Sequence, residues 1–185
     1  MGKVIVGMTM SLDGFVHDRD GGVGSLYSDL LTLRDSPILS DSIRNTGAVV
    51  MGRRTYAMAG DPDAYADAYE YQVPIFVLTS RPPAKQPRHN KRLTFTFVSD
   101  GLGSALAQAQ AAAGGKDVTV VGGASVVQEC LRGGLADELH IDMMPILLGG
   151  GLRLFEHLGD QPIHLEKIKV IETPVRTSLH FRILK

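Results

Sequence analysis

Four short stretches of the chain gather groups able to hold anions or move protons. "GRRTY" (52–56) sets Arg53, Arg54 and Thr55 directly behind Gly52. "TSRP" (79–82) places the hydroxyls of Thr79 and Ser80 beside Arg81. "VVGGASVV" (120–127) runs an apolar segment into Gly122 and Gly123, then into Ala124, Ser125 and Val126. "SLDGF" (11–15) carries one carboxylate, Asp13, at a turn-forming Asp-Gly pair. Guanidinium forks match phosphate oxygens two at a time, and neighbouring hydroxyls add hydrogen bonds. Backbone N–H groups at the start of a helix carry partial positive charge and point outward. Glycines let an anion approach that backbone because no Cβ intervenes. Together these residues suit a phosphorylated ligand. A pyrophosphate would bridge "GRRT" and "GGAS", and "TSR" would hold a further phosphate such as the 2′-phosphate of an NADP-type cofactor.

The groups work only if the fold brings them together. Strand-like runs cover Lys3–Met10, Gly47–Met51, Val73–Thr79 and Val118–Val121. Short runs this continuously apolar suit central strands buried on both faces of a parallel sheet. Helical patterns lie between them. Asp29–Asn45 is interrupted at Pro37, which fits the first turn of a second helix behind Ser36. Leu102–Ala113 ends at Gly114-Gly115, and Ser125–Arg132 ends at Gly133-Gly134. Near the end of the chain, Ile163–Glu172 and Thr177–Leu184 alternate around "TPVR" and read as an antiparallel hairpin. The expectation is an α/β domain spanning 1–185, with a mixed, mostly parallel sheet and an antiparallel C-terminal hairpin. Ligands of such sheets bind outside the carboxyl ends of the strands. All four chemical stretches follow strands.

Bulk composition narrows the function. The chain has 185 residues, 44% hydrophobic and 21% charged, with a net charge of −1. A chain of this size builds one sizeable core. No overall positive field draws nucleic acid or an anionic membrane. Cys130 is the single cysteine, so no intrachain disulfide forms, and no clustered Cys, His and acid spacing points to a metal. No apolar run reaches the roughly 18–20 residues that span a bilayer. A cytoplasmic location is expected.

In order, "SLDGF", "VVMGRRTY", "IFVLTSRP", "VTVVGGASVV" and "LADELHIDMMPILLGGGLRLF" resemble the dihydrofolate reductase-like superfamily. They are most similar to the reductase domain of riboflavin biosynthesis proteins, in a stand-alone form. The resemblance covers nearly the whole chain. It implies a three-layer α/β/α dihydrofolate reductase-like fold, a small-molecule substrate, a homodimer, and NADPH-dependent hydride transfer related to 5-amino-6-(5-phosphoribosylamino)uracil reduction. By the same resemblance, Gly52, Arg53, Arg54, Thr55 and the turn Gly122, Gly123, Ala124, Ser125, Val126 contact cofactor phosphates. Thr79, Ser80 and Arg81 read the 2′-phosphate, and Thr9 and Val16 flank the nicotinamide. Two departures stand out. The riboflavin reductases usually carry glutamate just before the glycine pair, where this chain has Val121. Folate reductases use an acid on the first helix and a flanking tryptophan; this chain has no tryptophan. Asp29, Asp35 and Asp41 each stand near the place of that acid, or simply on a solvated helix face.

Other residues carry two readings. Asp13 either relays a proton or binds substrate at the mouth of the first strand, or only makes a turn. Tyr56, Tyr65, Tyr69 and Tyr71 either stack on a planar substrate or cover the sheet. His140 and His164 read as structural. An alternative to an enzyme is a dimeric protein of the same fold that holds a nucleotide or pterin without turnover.

Overall fold

The computed structural model describes residues 2–185. An eight-stranded sheet organises the chain, in the order β5-β4-β3-β6-β1-β7-β10-β9. Its strands are β1 (Val4–Ser11), β3 (Thr46–Gly52), β4 (Ile75–Leu78), β5 (Phe95–Val98), β6 (Asp117–Val120), β7 (Glu138–Met144), β9 (Leu165–Glu172) and β10 (Thr177–Ile183). β1, β3, β4, β5, β6 and β7 pair in parallel, whereas β10 runs antiparallel to both β7 and β9. Two short strands, β2 (Phe15–His17) and β8 (Leu152–Arg153), pair outside the sheet. The fold is a mixed, mostly parallel sheet with helices on its faces and an antiparallel C-terminal hairpin.

Side-chain alternation decides what each face does. In β3, Ala48 and Val50 join the apolar core under α5 (Leu102–Ala112) and α6 (Ala124–Arg132). Val49 and Met51 point the other way, into a second cluster with Tyr56, Tyr65 and Tyr71. β4 divides likewise, with Phe76 on one side and Ile75 and Val77 on the other. These strands are buried on both faces, which is why their sequences lack polar alternation. β1, β6 and β7 differ. Val4 and Val6, Val118 and Val120, and Leu139 and Ile141 face the α5–α6 core. Apart from Ile5, their alternate residues are polar or small, so one half of the opposite sheet face stays wet.

The helices on that wet side are short: α1 (Leu30–Arg34), α2 (Pro37–Asn45), α3 (Arg53–Ala57) and α4 (Tyr65–Ala68). α2 starts as its sequence requires. The Ser36 hydroxyl accepts a hydrogen bond from the Leu39 N–H, and Pro37 occupies the first turn. Such a cap contributes about 1 kcal/mol. β5, α3 and the β2–β8 pair add to the elements expected from sequence; each is too short for its periodicity to register. Among the described residues no helix is long and apolar enough to cross a membrane.

Candidate functional site

Adjacent parallel strands bring the two glycine turns into contact. β3 ends at Gly52 and β6 leads into Gly122, with Val50 opposite Val120. The Gly52 N–H donates to the Gly122 carbonyl at 2.8 Å, and the Val121 N–H to the Val50 carbonyl at 3.1 Å. α6 begins right after Gly123 and α3 right after Gly52, and no side chain caps either start. Two helix starts with unfilled N–H groups therefore open side by side.

The surface at Gly52 and Gly122 leaves little room for a larger residue. Gly122 has φ +109°, and a Cβ on it would lie 2.9 Å from the Met8 sulfur and 3.5 Å from the Thr55 hydroxyl. A Cβ on Gly52 would lie 3.1 Å from a Val126 methyl and 3.4 Å from the Gly123 nitrogen. Ala124 and Val126 are buried, so they can offer a ligand only backbone, while Ser125 is exposed. Arg53 and Arg54 are exposed and enter no ion pair among the described residues. Ser80 and Arg81 are also exposed, at the end of neighbouring β4. The Thr79 hydroxyl is used inside its own turn, accepting from the Arg81 N–H at 3.0 Å. Glycine cradle, uncapped helix starts and unpaired arginines together fit a dinucleotide phosphate chain.

Next to this cradle lies a cleft of about 510 Å³ over the wet sheet face. Its floor carries Gly7 and Thr9 from β1, Thr119 from β6, His140 and Asp142 from β7, and Ser178 and His180 from β10. Tyr27, Tyr69 and Tyr71 form one wall and Leu33 and Leu39 another, while Thr55 belongs to both cleft and cradle. Strand register places His140 opposite His180, and the rings stack with centroids 3.6 Å apart and planes 9° from parallel. His140 Nε2 lies 3.0 Å from a Glu138 carboxylate oxygen, whose other oxygen takes Lys3 Nζ at 2.5 Å. Burial pushes the His140 pKa down, with Glu138 only partly opposing it. Burial and then the neighbouring His140 push His180 down to about 4.

At the strand-end limit of the cleft, Arg176 is fully buried. The "TPVR" turn aims it inward. The Thr173 hydroxyl accepts from the Arg176 N–H at 2.9 Å and donates to its carbonyl at 3.0 Å. The guanidinium grips both oxygens of Asp29 through Nε, at 2.7 Å, and Nη2. Nη1 reaches Asp142 at 3.3 Å and the Thr9 hydroxyl at 3.5 Å. The Arg176 hydrogen bond outweighs burial and holds the Asp29 pKa below the usual carboxylate range. Asp29 therefore carries no proton at neutral pH. Nothing local in the sequence separates Arg176 from an exposed turn residue.

The remaining expected residues divide. Thr9 lines the cleft beside Arg176, but Val16 is buried in the α5–α6 core. Asp13 serves the loop after β7. It accepts from the Ser11 hydroxyl at 2.6 Å and from the Leu148 and Gly149 N–H groups at 3.1 and 2.8 Å. Those bonds, the Ser11 hydroxyl first, lower its pKa to about 2. A carboxylate so engaged positions a loop and is a poor proton donor. Of the tyrosines, Tyr56 and Tyr65 stack at 5.6 Å in the second core, whereas Tyr69 and Tyr71 reach the cleft. Asp35 is exposed. Asp41 lines the cleft but is held by Lys169 and Arg44.

Comparison with known proteins agrees with this geometry. The family described as "RibD C-terminal domain" matches residues 2–178. The chain belongs to this family. A relative within reach is the uncharacterized protein YwjB of Bacillus subtilis (strain 168), 26% identical over 160 residues, 86% of each chain. A putative riboflavin biosynthesis protein from Shewanella sp. PV-4 superposes with a TM-score of 0.73 at 24% identity, covering 99% of both chains. Dihydrofolate reductase from Enterococcus faecalis superposes at 0.64 with 18% identity, covering 100% of this chain and 98% of that one. The fold is dihydrofolate reductase-like, and the RibD C-terminal domain match sets the chain in the riboflavin-reductase branch.

Proposed function

We propose that this RibD-type chain is an NADPH-dependent oxidoreductase that reduces a small heterocycle bound in the cleft. The observation that carries this reading is the Gly52–Gly122 junction, where an anion cradle abuts a substrate-sized cleft through the shared residue Thr55. NADPH, when bound, supplies the hydride. The protein's part is to hold and orient. The α6 N–H groups behind Gly122 and Gly123, with Arg53, Arg54 and Thr55, would hold the pyrophosphate. Ser80 and Arg81 would take the 2′-phosphate. The tyrosine wall and the sheet floor hold a planar ring and exclude water.

Titration with NADPH and NADH, followed by cofactor fluorescence, tests the reading. Saturable binding with preference for NADPH is expected, and Arg81→Ala should erase the preference while keeping binding. Absence of saturable NADPH binding would sink it. Holding a ligand without turnover is a second reading. It draws support from Asp29, one of the three acids that could stand for the folate reductases' helix acid, which Arg176 keeps ionised. NADPH binding without oxidation across a panel of pyrimidines and pterins would favour it.

We also propose a homodimer. β9 is an unpaired sheet edge with Leu165, Ile168 and Val170 exposed, the kind of edge that proteins cover. A monomer mass by light scattering at micromolar concentration would exclude it.

A further inference from the structure

Charge is distributed unevenly between the two halves of this site. Arg53, Arg54 and Arg81 all belong to the cradle, and none of them lines the cleft. The cations that do line it are already matched. Lys3 pairs with Glu138 at 2.5 Å and Lys169 with Asp41 at 3.5 Å. Arg176, behind the floor, is shared between Asp29 and Asp142. The stacked imidazoles add no positive charge, because burial keeps them neutral at pH 7.

Carboxylates are in excess. Asp142 presents its side chain to the cleft at 20% exposure. Only its Oδ2 is hydrogen-bonded, at 3.3 Å to Arg176, and its Oδ1 has no partner among the described residues. Glu70, at the rim between Tyr69 and Tyr71, also lines the cleft and enters no ion pair among the described residues. Loss of water around it raises its pKa, and Arg34 on α1 only partly offsets that. Asp117 adds a third carboxylate at the far end, hydrogen-bonded to the Lys3 backbone N–H at 2.9 Å. A phosphate or carboxylate entering here would find no uncommitted cation and would meet these charges in a partly dry space.

We propose that the cleft selects an uncharged or cationic nitrogen heterocycle, that it rejects phosphorylated or carboxylate-bearing ones, and that Asp142 reads the substrate's N–H edge. The inference rests on the cleft being the substrate half of the proposed reductase site. Asp142 suits the task because Arg176 fixes one oxygen and leaves the other to accept. Tyr27, Tyr69 and Tyr71 line the same cleft, so a ring bound to Asp142 has aromatic surface beside it. Asp29 is not placed for this role, since it is buried, does not line the cleft and is bonded through both oxygens to Arg176. Arg176 is thus a positioning residue. It holds Asp29 in the interior and orients Asp142 on β7.

The test uses two pyrimidines of opposite character, 2,4-diaminopyrimidine and orotate, titrated calorimetrically into the full chain with and without NADPH. The diamine is expected to bind at least about tenfold more tightly, the scale of one charge-assisted recognition contact. Asp142→Asn should remove most of that preference while NADPH affinity holds. Glu70→Lys, at an exposed position, should shift the preference toward orotate by about threefold or more. Equal or tighter binding of orotate, binding of neither compound, or an unchanged preference in both variants would overturn the proposal. NADPH titration of the same samples separates the two levels. Loss of NADPH binding with the diamine preference intact would sink the reductase reading alone.

Discussion

Acidification from pH 6.5 to 4 should weaken the fold through the stacked histidines. An unfolded imidazole takes up its proton near pH 6.5. Folded His180 resists until about pH 4, because it is desolvated and lies 3.6 Å from the His140 ring. Between those values the unfolded chain binds more protons, so stability falls as pH falls. Each pKa unit corresponds to about 1.4 kcal/mol, which sets a ceiling of about 3.5 kcal/mol for His180. Its ring is only half-buried, and solvent screening reduces the effect to roughly 1–2 kcal/mol. His140 shifts in the same direction and adds to the loss. The depressed carboxylates Asp29 and Glu138 lose their contribution only below the normal carboxylate range, so they leave this window largely clear. Glu70 acts oppositely, because its raised pKa relieves the folded state as protons bind. The groups facing the stack are Glu138, Lys3, Asp142, Lys169 and Asp41. Urea unfolding at half-unit pH steps reads the slope, and His180→Gln isolates the contribution of the stacked pair, because groups that do not touch the stack cancel in the difference. The variant should lose about half of the pH dependence. A parent protein equally stable at pH 6.5 and 4.5, or a variant with an unchanged slope, would refute the reasoning.

Two further outcomes follow from geometry. Gly122→Ala puts a Cβ 2.9 Å from the Met8 sulfur at φ +109°; NADPH affinity should drop by about tenfold or more and the melting temperature should fall, since both strain and overpacking arise there. An unchanged affinity would remove the glycine turn from the cofactor site. Arg176→Met leaves Asp29 charged, buried and alone, at a cost of about 3–5 kcal/mol. The double change Arg176→Met with Asp29→Leu should recover most of that in denaturant unfolding, and failure to recover would mean that the guanidinium contributes something other than charge compensation.

Sequence and structure agree where neighbours along the chain decide the outcome. "GAVVM" is apolar throughout because both faces of β3 are buried, and "VTVV" puts Val118 and Val120 on the buried inner face of β6 with Thr119 on the cleft side. Ser36-Pro37 starts α2 because capping is local. The cradle was legible for a related reason. Each of its pieces follows its own strand, and parallel order brings strand ends to one edge. The cleft was not legible in this way. Its acid–base arrangement depends on Arg176 meeting Asp29 across 147 positions, and on register that sets His180 opposite His140. Alternation alone gives each strand's parity but not which face is the wet one. A bulge between His180 and Phe181 further shifts the register of β10 against β9. Asp13 shows the converse hazard. It has the right residue type at the right strand end, yet backbone N–H groups 135 and 136 positions away claim its oxygens. Residue type locates where phosphate can bind, because a cation or a helix start needs little help from distant chain. A carboxylate suited to reading a substrate needs an oxygen free of protein partners, and only the packed structure shows that Asp142 Oδ1 has none among the described residues while Arg176 bonds to both oxygens of Asp29.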